Sequence, residues 1–198
     1  MTVLDKIEQI VSEISHEIGL IQYHGSGHHT EISYQQLWEQ SKLLAHHLQK
    51  RGLQPGQFVG IFMQRSIEHV ISMLAILMNG AAFFSLNPRY TPTQLDFTAR
   101  LCQSPFIIID SNSLLKLANI ETRQLENCSL IHYDRKPMNP VHQSLLAKIK
   151  NRIKIESFPV DKESSELSDF VSPSIIGSDV AVTLFTSGST GKPKGVMI

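Results

Sequence analysis

Apolar residues at Val3, Ile7, Ile10, Val11, Ile14 and Ile18 fall on one face at helical spacing, which predicts an opening amphipathic helix closed by Gly19. The next helix is marked by its start. In Ile32-Ser33-Tyr34-Gln35-Gln36-Leu37 the Ser33 hydroxyl can accept from the Gln36 backbone while the Gln36 side chain returns to Ser33, with Ile32 and Leu37 placed to staple the entry. That helix runs through Leu44 and Leu48 to Gly52. The period then alternates. After the turn at Pro55-Gly56, Phe58 to Phe62 is a short apolar strand, and Ser66 caps a helix through Ile67, Val70, Ile71, Leu74 and Leu77 to Gly80. Ala81 to Leu86 is the next strand. Tyr90-Thr91-Pro92-Thr93-Gln94-Leu95 repeats the capping pattern with proline in the first turn, and Phe106 to Ile109 is a third strand. Strands alternating with helices pair in parallel through crossovers, so the fold class is α/β, a mainly parallel sheet with flanking helices. Further on, Ser129 to His132 reads as a strand and Val141 to Ile149 as a helix. Residues 161–169 are polar and serine-rich, a linker or long surface loop.

Composition narrows the class. The 198 residues make one large domain or two small ones, and with 41% hydrophobic against 18% charged residues the chain can bury a core. Lys+Arg and Asp+Glu both number 18, so the basic excess that a nucleic-acid or membrane-surface partner demands is missing. The first ten residues alternate charge with apolar side chains, which is not a signal peptide. Val70 to Leu86, the most apolar stretch, is too short for a membrane span and is broken by Asn79-Gly80. The two cysteines, Cys102 and Cys128, exclude a disulfide scaffold and fit a reducing cytoplasm.

The chemistry concentrates near the end. Asp179 to Phe185 is a strand-like run feeding into Thr186-Ser187-Gly188-Ser189-Thr190-Gly191-Lys192-Pro193-Lys194-Gly195. Three glycines let successive N–H groups turn into one concavity, four hydroxyls donate, and Lys192 and Lys194 add positive charge. Hydrogen bonds to a charged group contribute roughly 1.5–3 kcal/mol each, so their convergence makes a triphosphate site. Gly/Ser/Thr/Lys-rich stretches are also common as flexible linkers. Against that, this one comes after an apolar strand, where ligand loops of α/β sheets lie, and carries a stiffening proline. A Walker loop needs four residues between its glycines and Ser or Thr after the lysine. Here two residues separate Gly188 from Gly191 and Pro193 comes directly after Lys192, which disfavours an ordinary Walker NTPase.

Phe185 to Val196 resembles the signature phosphate loop of the adenylate-forming (AMP-binding) enzymes: acyl-CoA synthetases, adenylation domains of nonribosomal peptide synthetases, and luciferases. Two upstream stretches, Ile32 to Leu37 and Met78 to Pro92, resemble that superfamily's early segments in the expected order, with Ser85 standing where members usually carry proline. The resemblance implies the N-terminal portion of the large domain across 1–198, with the acid pocket, the adenine- and ribose-binding segments and the small C-terminal domain absent. It implies a two-step reaction. ATP with Mg2+ and a small carboxylic or amino acid form an acyl-adenylate, and the thiol of CoA or of a carrier protein's phosphopantetheine then takes the acyl group. The implied nucleotide-binding residues are Thr186, Ser187, Gly188, Ser189, Thr190, Gly191, Lys192, Lys194 and Gly195; no general base, nucleophile or metal ligand is assigned. The fragment alone is expected to be inactive, and residues 186–198 to be mobile. The rival reading is a natural non-catalytic interaction module.

Other signals read blandly. His24, His28 and His29 flank Gly25-Ser26-Gly27 as an exposed hairpin or loop, lacking the spacing of a metal site. His46-His47 reads as the polar face of its helix, and Lys148, Lys150, Arg152 and Lys154 as a solvated face. Cys102, Cys128 and Trp38 read as packing residues.

Overall fold

The computed structural model describes residues 2–117, 125, 128–135, 137–151, 153–159, 169–186 and 194–198. The opening helix α1 (Val3–Ile14) starts at a capping box between Thr2 and Asp5. It ends a turn earlier than the apolar spacing predicts. Ile18 and Gly19 instead begin β1 (Ile18–Tyr23), which pairs antiparallel with β2 (His29–Ser33) around a short turn at Gly25–Gly27. The physical reason is Gly19: a Cβ there would lie 3.1 Å from the Tyr34 backbone nitrogen, a close approach made in a strand and not at a helix cap. The histidine-flanked Gly25-Ser26-Gly27 is thus a hairpin turn, with His24 Nε2 2.8 Å from Thr30 Oγ1.

Helix α2 (Tyr34–Lys50) carries the expected capping box between Ser33 and Gln36. Strand β3 (Phe58–Phe62), helix α3 (Ile67–Met78) capped by Ser66, and strand β4 (Ala82–Ser85) come next, as the sequence predicts. Gly80 closes α3 at φ +66°, a conformation L side chains resist. Helix α4 (Pro92–Leu101) starts at the Thr91–Gln94 box and leads to β5 (Phe106–Ile109). Beyond it come α5 (Ser111–Leu117), β6 (Ser129–His132), α6 (Pro140–Lys150) and β7 (Ile155–Ser157). Helix α5 and β7 are not legible in the sequence. The last described elements are β8 (Thr183–Thr186) and β9 (Lys194–Met197).

Five strands form one parallel sheet in the order β4-β3-β5-β6-β7. Side chains alternate across it. Ile61, Ile108 and Ile131 point to the face covered by α1, α2 and α3, where Leu44 and Ile71 are fully buried. Phe62, Ile107, Ile109 and Leu130 point to the opposite face, against α4, α5 and α6. Trp38 packs in the first core, while buried Cys128 and half-buried Cys102 belong to the second. Burial pushes their thiols up to about 12 and about 11 respectively, far from a nucleophile's range.

The reading of His46-His47 as a polar face is corrected. Helix α2 is covered on both flanks. His46 is 4% exposed with its ring edge-on to Phe170, and His47 stands edge-on to Phe158 with Nε2 2.9 Å from Glu156. Lys148, Lys150 and Lys154 are exposed; Arg152 and residues 161–168 of the predicted 161–169 loop lie outside the described residues. Among the described residues no helix is long and apolar enough to cross a membrane.

Candidate functional site: the β8–β9 hairpin

The strand feeding the glycine-rich loop is shorter than the apolar run. Asp179 sits in a turn, its carboxylate accepting from Ile176 N–H at 2.8 Å, and β8 proper starts at Thr183. Just before it, Val182 bridges Phe83 in parallel register, and Phe83 N–H donates to the Ala181 carbonyl at 3.1 Å. That bridge fastens the segment to β4, the edge of the sheet. Phe185 then turns inward, edge-on to Phe84 with ring centroids 6.0 Å apart.

The loop closes as an antiparallel hairpin. Thr186 pairs with Lys194, Phe185 with Gly195, Leu184 with Val196 and Thr183 with Met197. Ile198 continues the ladder, donating to and accepting from Val182 at 2.9 and 3.1 Å. Residues 194–198, expected as a mobile tail, are therefore paired backbone. Thr186 Oγ1 reaches the Lys194 carbonyl at 3.5 Å, so the two ends of the loop touch. Gly195 is required where it stands: a Cβ would lie 2.9 Å from Thr183 Cγ2 and 3.3 Å from the Phe185 ring.

Of the nine predicted nucleotide-binding residues, this geometry brings Thr186, Lys194 and Gly195 together at the neck of the loop. Ser187, Gly188, Ser189, Thr190, Gly191 and Lys192 lie outside the described residues. The chain leaves the loop as a strand, whereas a Walker loop opens a helix. Beside the neck, Phe58, Leu101, Cys102 and Met197 line a largely apolar cavity of about 740 Å³, with Lys194 on its wall.

A second cluster escaped the sequence because its members are far apart along the chain. Where β5 and β6 end, Ser111 Oγ and Asp134 Oδ2 both lie 3.1 Å from His132 Nε2, and Ser111 Oγ donates to Asp134. Burial would raise the Asp134 carboxyl, but hydrogen bonds from His132 and Ser111 outweigh it and hold the group below its ordinary value. One imidazole nitrogen faces both partners, so the ring cannot relay a proton between them as a hydrolase triad does. The cluster ties α5 to β6.

The AMP-binding enzyme family matches residues 15–198. The chain is 32% identical over 167 residues to tyrocidine synthase 3 of Brevibacillus parabrevis, covering 84% of this chain and 2% of that protein. It is 31% identical over 170 residues to bacitracin synthase 1 of Bacillus licheniformis, covering 85% of this chain and 3% of that one. The chain thus spans only a few hundredths of these relatives' lengths. Among solved structures, the adenylation domain of a carboxylate reductase from Mycobacterium chelonae superposes on all of it with a TM-score of 0.80 at 18% identity, 34% of that chain being covered. The N-terminal subdomain of Klebsiella oxytoca NpsA gives a TM-score of 0.69 at 23% identity, with 100% of this chain and 41% of that one covered. Both share the fold described above. The chain belongs to the AMP-binding enzyme family.

Proposed function

We propose that the segment Thr186–Gly195 is the β,γ-phosphate cradle of an ATP-dependent carboxylate-activating ligase, of which these 198 residues form the N-terminal part. One observation carries the reading. In a chain of this family, a segment of three glycines, four hydroxyls and two lysines has its first and last parts brought together by the Thr186–Lys194 pair, and glycines of this spacing let backbone N–H groups turn toward an anion. Lys192 and Lys194 neutralise phosphate charge, and Thr186, Ser187, Ser189 and Thr190 donate hydrogen bonds; the donor set fits a polyphosphate arriving with Mg2+. The reaction forms a bond between a carboxylate oxygen and the α-phosphorus as pyrophosphate leaves. A thiol of CoA or phosphopantetheine then attacks the acyl carbon and AMP leaves. The loop acts on the first step by positioning and charge neutralisation.

The substrate is a small carboxylic or amino acid. Relatives 30% and 31% identical to this chain are named nonribosomal peptide synthetases, which favours an amino acid and a phosphopantetheine carrier protein as acceptor. Two buried or half-buried thiols fit a reducing cytoplasm as the site of action. Residues 1–198 alone do not complete a turnover.

The test is calorimetric titration of residues 1–198 with magnesium pyrophosphate, beside carboxylate-dependent ATP–pyrophosphate exchange. The expected result is pyrophosphate binding that Lys192→Ala and Lys194→Ala each weaken, with no exchange. Binding indifferent to both substitutions overturns the cradle, and exchange by these residues alone overturns their incompleteness. Phosphate release with no carboxylate present would make the protein a simple NTPase.

A further inference from the structure

Strands β3 and β4 run parallel, with Ile61 level with Ser85 across the ladder. The chain leaves β3 at Phe62 and enters α3 at the Ser66 cap, so the first turn of α3 stands beside the carboxyl end of β4. Two side chains sixteen positions apart meet there. Ser85 Oγ lies 3.4 Å from His69 Nε2.

The partners have different surroundings. Ser85 is exposed at the end of its strand, whereas His69 is half-buried and its Nδ1 is sealed from solvent. Nε2 is therefore the ring nitrogen that can exchange a proton with a group at the surface. The backbone N–H of His69 donates to Ser66 Oγ at 3.1 Å, which fixes the residue in the first turn of α3, where the helix dipole disfavours a cation. Burial pulls the imidazole below its ordinary 6.5, and the charge of Arg65 pulls the same way; the backbone at Met63 and Gln64 opposes both without reversing them. The ring is neutral at pH 7 and has a lone pair to offer.

The cluster at Ser111 shows the contrasting case. There hydroxyl and ring are both buried, and the Asp134 carboxylate takes the serine proton. Among the described residues no carboxylate or carbonyl competes for the Ser85 hydroxyl; its one partner is the imidazole. A hydroxyl beside a neutral imidazole is the pairing that activates a serine, since the base takes the proton as the oxygen attacks.

We propose that Ser85 is a nucleophile toward acyl esters with a good leaving group, with His69 as its general base. Ser85 Oγ bonds to the acyl carbon while its proton passes to His69 Nε2, which requires the neutral ring to carry its hydrogen on Nδ1. The bond from the acyl carbon to the leaving oxygen then breaks. That oxygen departs with the electron pair and takes the proton back from His69, leaving an O-acyl serine and an alcohol. Neither residue belongs to the phosphate loop, so the proposal stands whether or not that loop binds nucleotide.

The experiment treats the 198-residue chain with p-nitrophenyl acetate and follows acetylation at Ser85 by peptide mass mapping. The expected result is one acetyl group on the peptide holding Ser85, absent in Ser85→Ala and present again in Ser85→Cys. His69→Gln slows the reaction by about a hundredfold, the scale of one general base, and added imidazole recovers part of the rate in His69→Ala. The parent protein gives an independent reading should the His69 variants not fold. With the ring already neutral, its rate at Ser85 stays level from about pH 7 to about pH 9, whereas an unassisted hydroxyl reacts about tenfold faster per pH unit. No acetyl group at Ser85 overturns the proposal. So does a rate that climbs tenfold per unit through that range, or one that a folded His69→Gln variant leaves unchanged.

Discussion

Strand β5 of the parallel sheet and strand β9 of the hairpin have four residues each, and they place them in opposite environments. In β5 every side chain is buried, with Ile107, Ile108 and Ile109 at 0% exposure. In β9 every residue is exposed, Val196 at 52% and Met197 at 64%. The sheet is covered by helices on both faces; the hairpin touches it through the Val182–Phe83 bridge and the inward Phe185 ring. The difference separates two jobs. Stability comes from apolar area removed from water, which the sheet supplies, while a phosphate loop needs backbone N–H groups left free of a ladder.

The largest test of this contrast is Ile108→Ala against Val196→Ala. Deleting the buried Ile108 methyl and methylene groups leaves a cavity and costs about 2–5 kcal/mol, whereas trimming the exposed Val196 changes stability by no more than about 0.5 kcal/mol. Urea unfolding measures both. Equal costs would mean that the hairpin is part of the folding core.

Next in size is Gly195→Ala. The added Cβ meets Thr183 Cγ2 at 2.9 Å, an overpacking worth about 1–3 kcal/mol, but confined to the hairpin. It should appear as faster amide exchange at Val182 and Ile198, whose mutual hydrogen bonds extend the ladder, with the midpoint of global unfolding little changed. Unchanged exchange at those two amides would show that the β8–β9 register does not depend on the glycine.

Legibility in the sequence divides along the same line. The segments Ser33–Lys50, Ser66–Ser85 and Thr91–Ile109 could be read because caps and prolines set their boundaries locally, within four residues of the helix starts. The α1–β1 boundary could not. Ile14 and Ile18 keep the helical period, and what ends the helix is the approach of Gly19 to Tyr34, a contact fifteen positions away. Strand β7 has three residues behind a basic run, too short for a period to show. The burial of His46 and His47 depends on Phe170 and Phe158, more than a hundred residues on. At the site the balance reverses. The loop was legible from composition and spacing alone, but that its neck is a hairpin depends on pairing between Thr186 and Lys194 across it.

Exposure alone is not what divides the two regions, and Ser33→Ala sharpens the point. Ser33 lies at a helix start and not in either core, yet its hydroxyl accepts from Gln36 N–H at 3.2 Å while Gln36 Oε1 accepts from Ser33 N–H at 3.0 Å. Removing the hydroxyl costs about 1 kcal/mol, more than trimming the exposed apolar Val196, because it leaves a helix-end donor unsatisfied. Thermal unfolding of the two variants side by side checks the ranking; a neutral Ser33→Ala would reduce the box to a coincidence of spacing.

The smallest effect comes from the sheet's own edge. Strand β7 has three residues, fewer than β9, and is the edge strand opposite β4, yet it is tied down. Arg51 Nε reaches both Glu156 oxygens at 2.7 and 2.8 Å, and His47 Nε2 reaches one at 2.9 Å. Burial would raise the Glu156 carboxyl, but the Arg51 hydrogen bonds and the charges of His47 and Arg51 outweigh it and hold the group below its ordinary 4.5. A carboxyl lowered on folding stabilises the protein fully above its unfolded value and loses that contribution as pH falls through the folded one. Glu156 is 34% exposed and Arg51 49%, so solvent screens the pair and Glu156→Gln costs only about 0.5–1 kcal/mol near neutrality. The melting-temperature gap between parent and variant should therefore narrow as pH drops below the ordinary carboxyl value, and narrow again at high salt. A gap constant across the acid range would mean that β7 is held by packing against Leu130 and Ile149 and not by charge. The edge of the sheet would then resemble its centre more than the hairpin does.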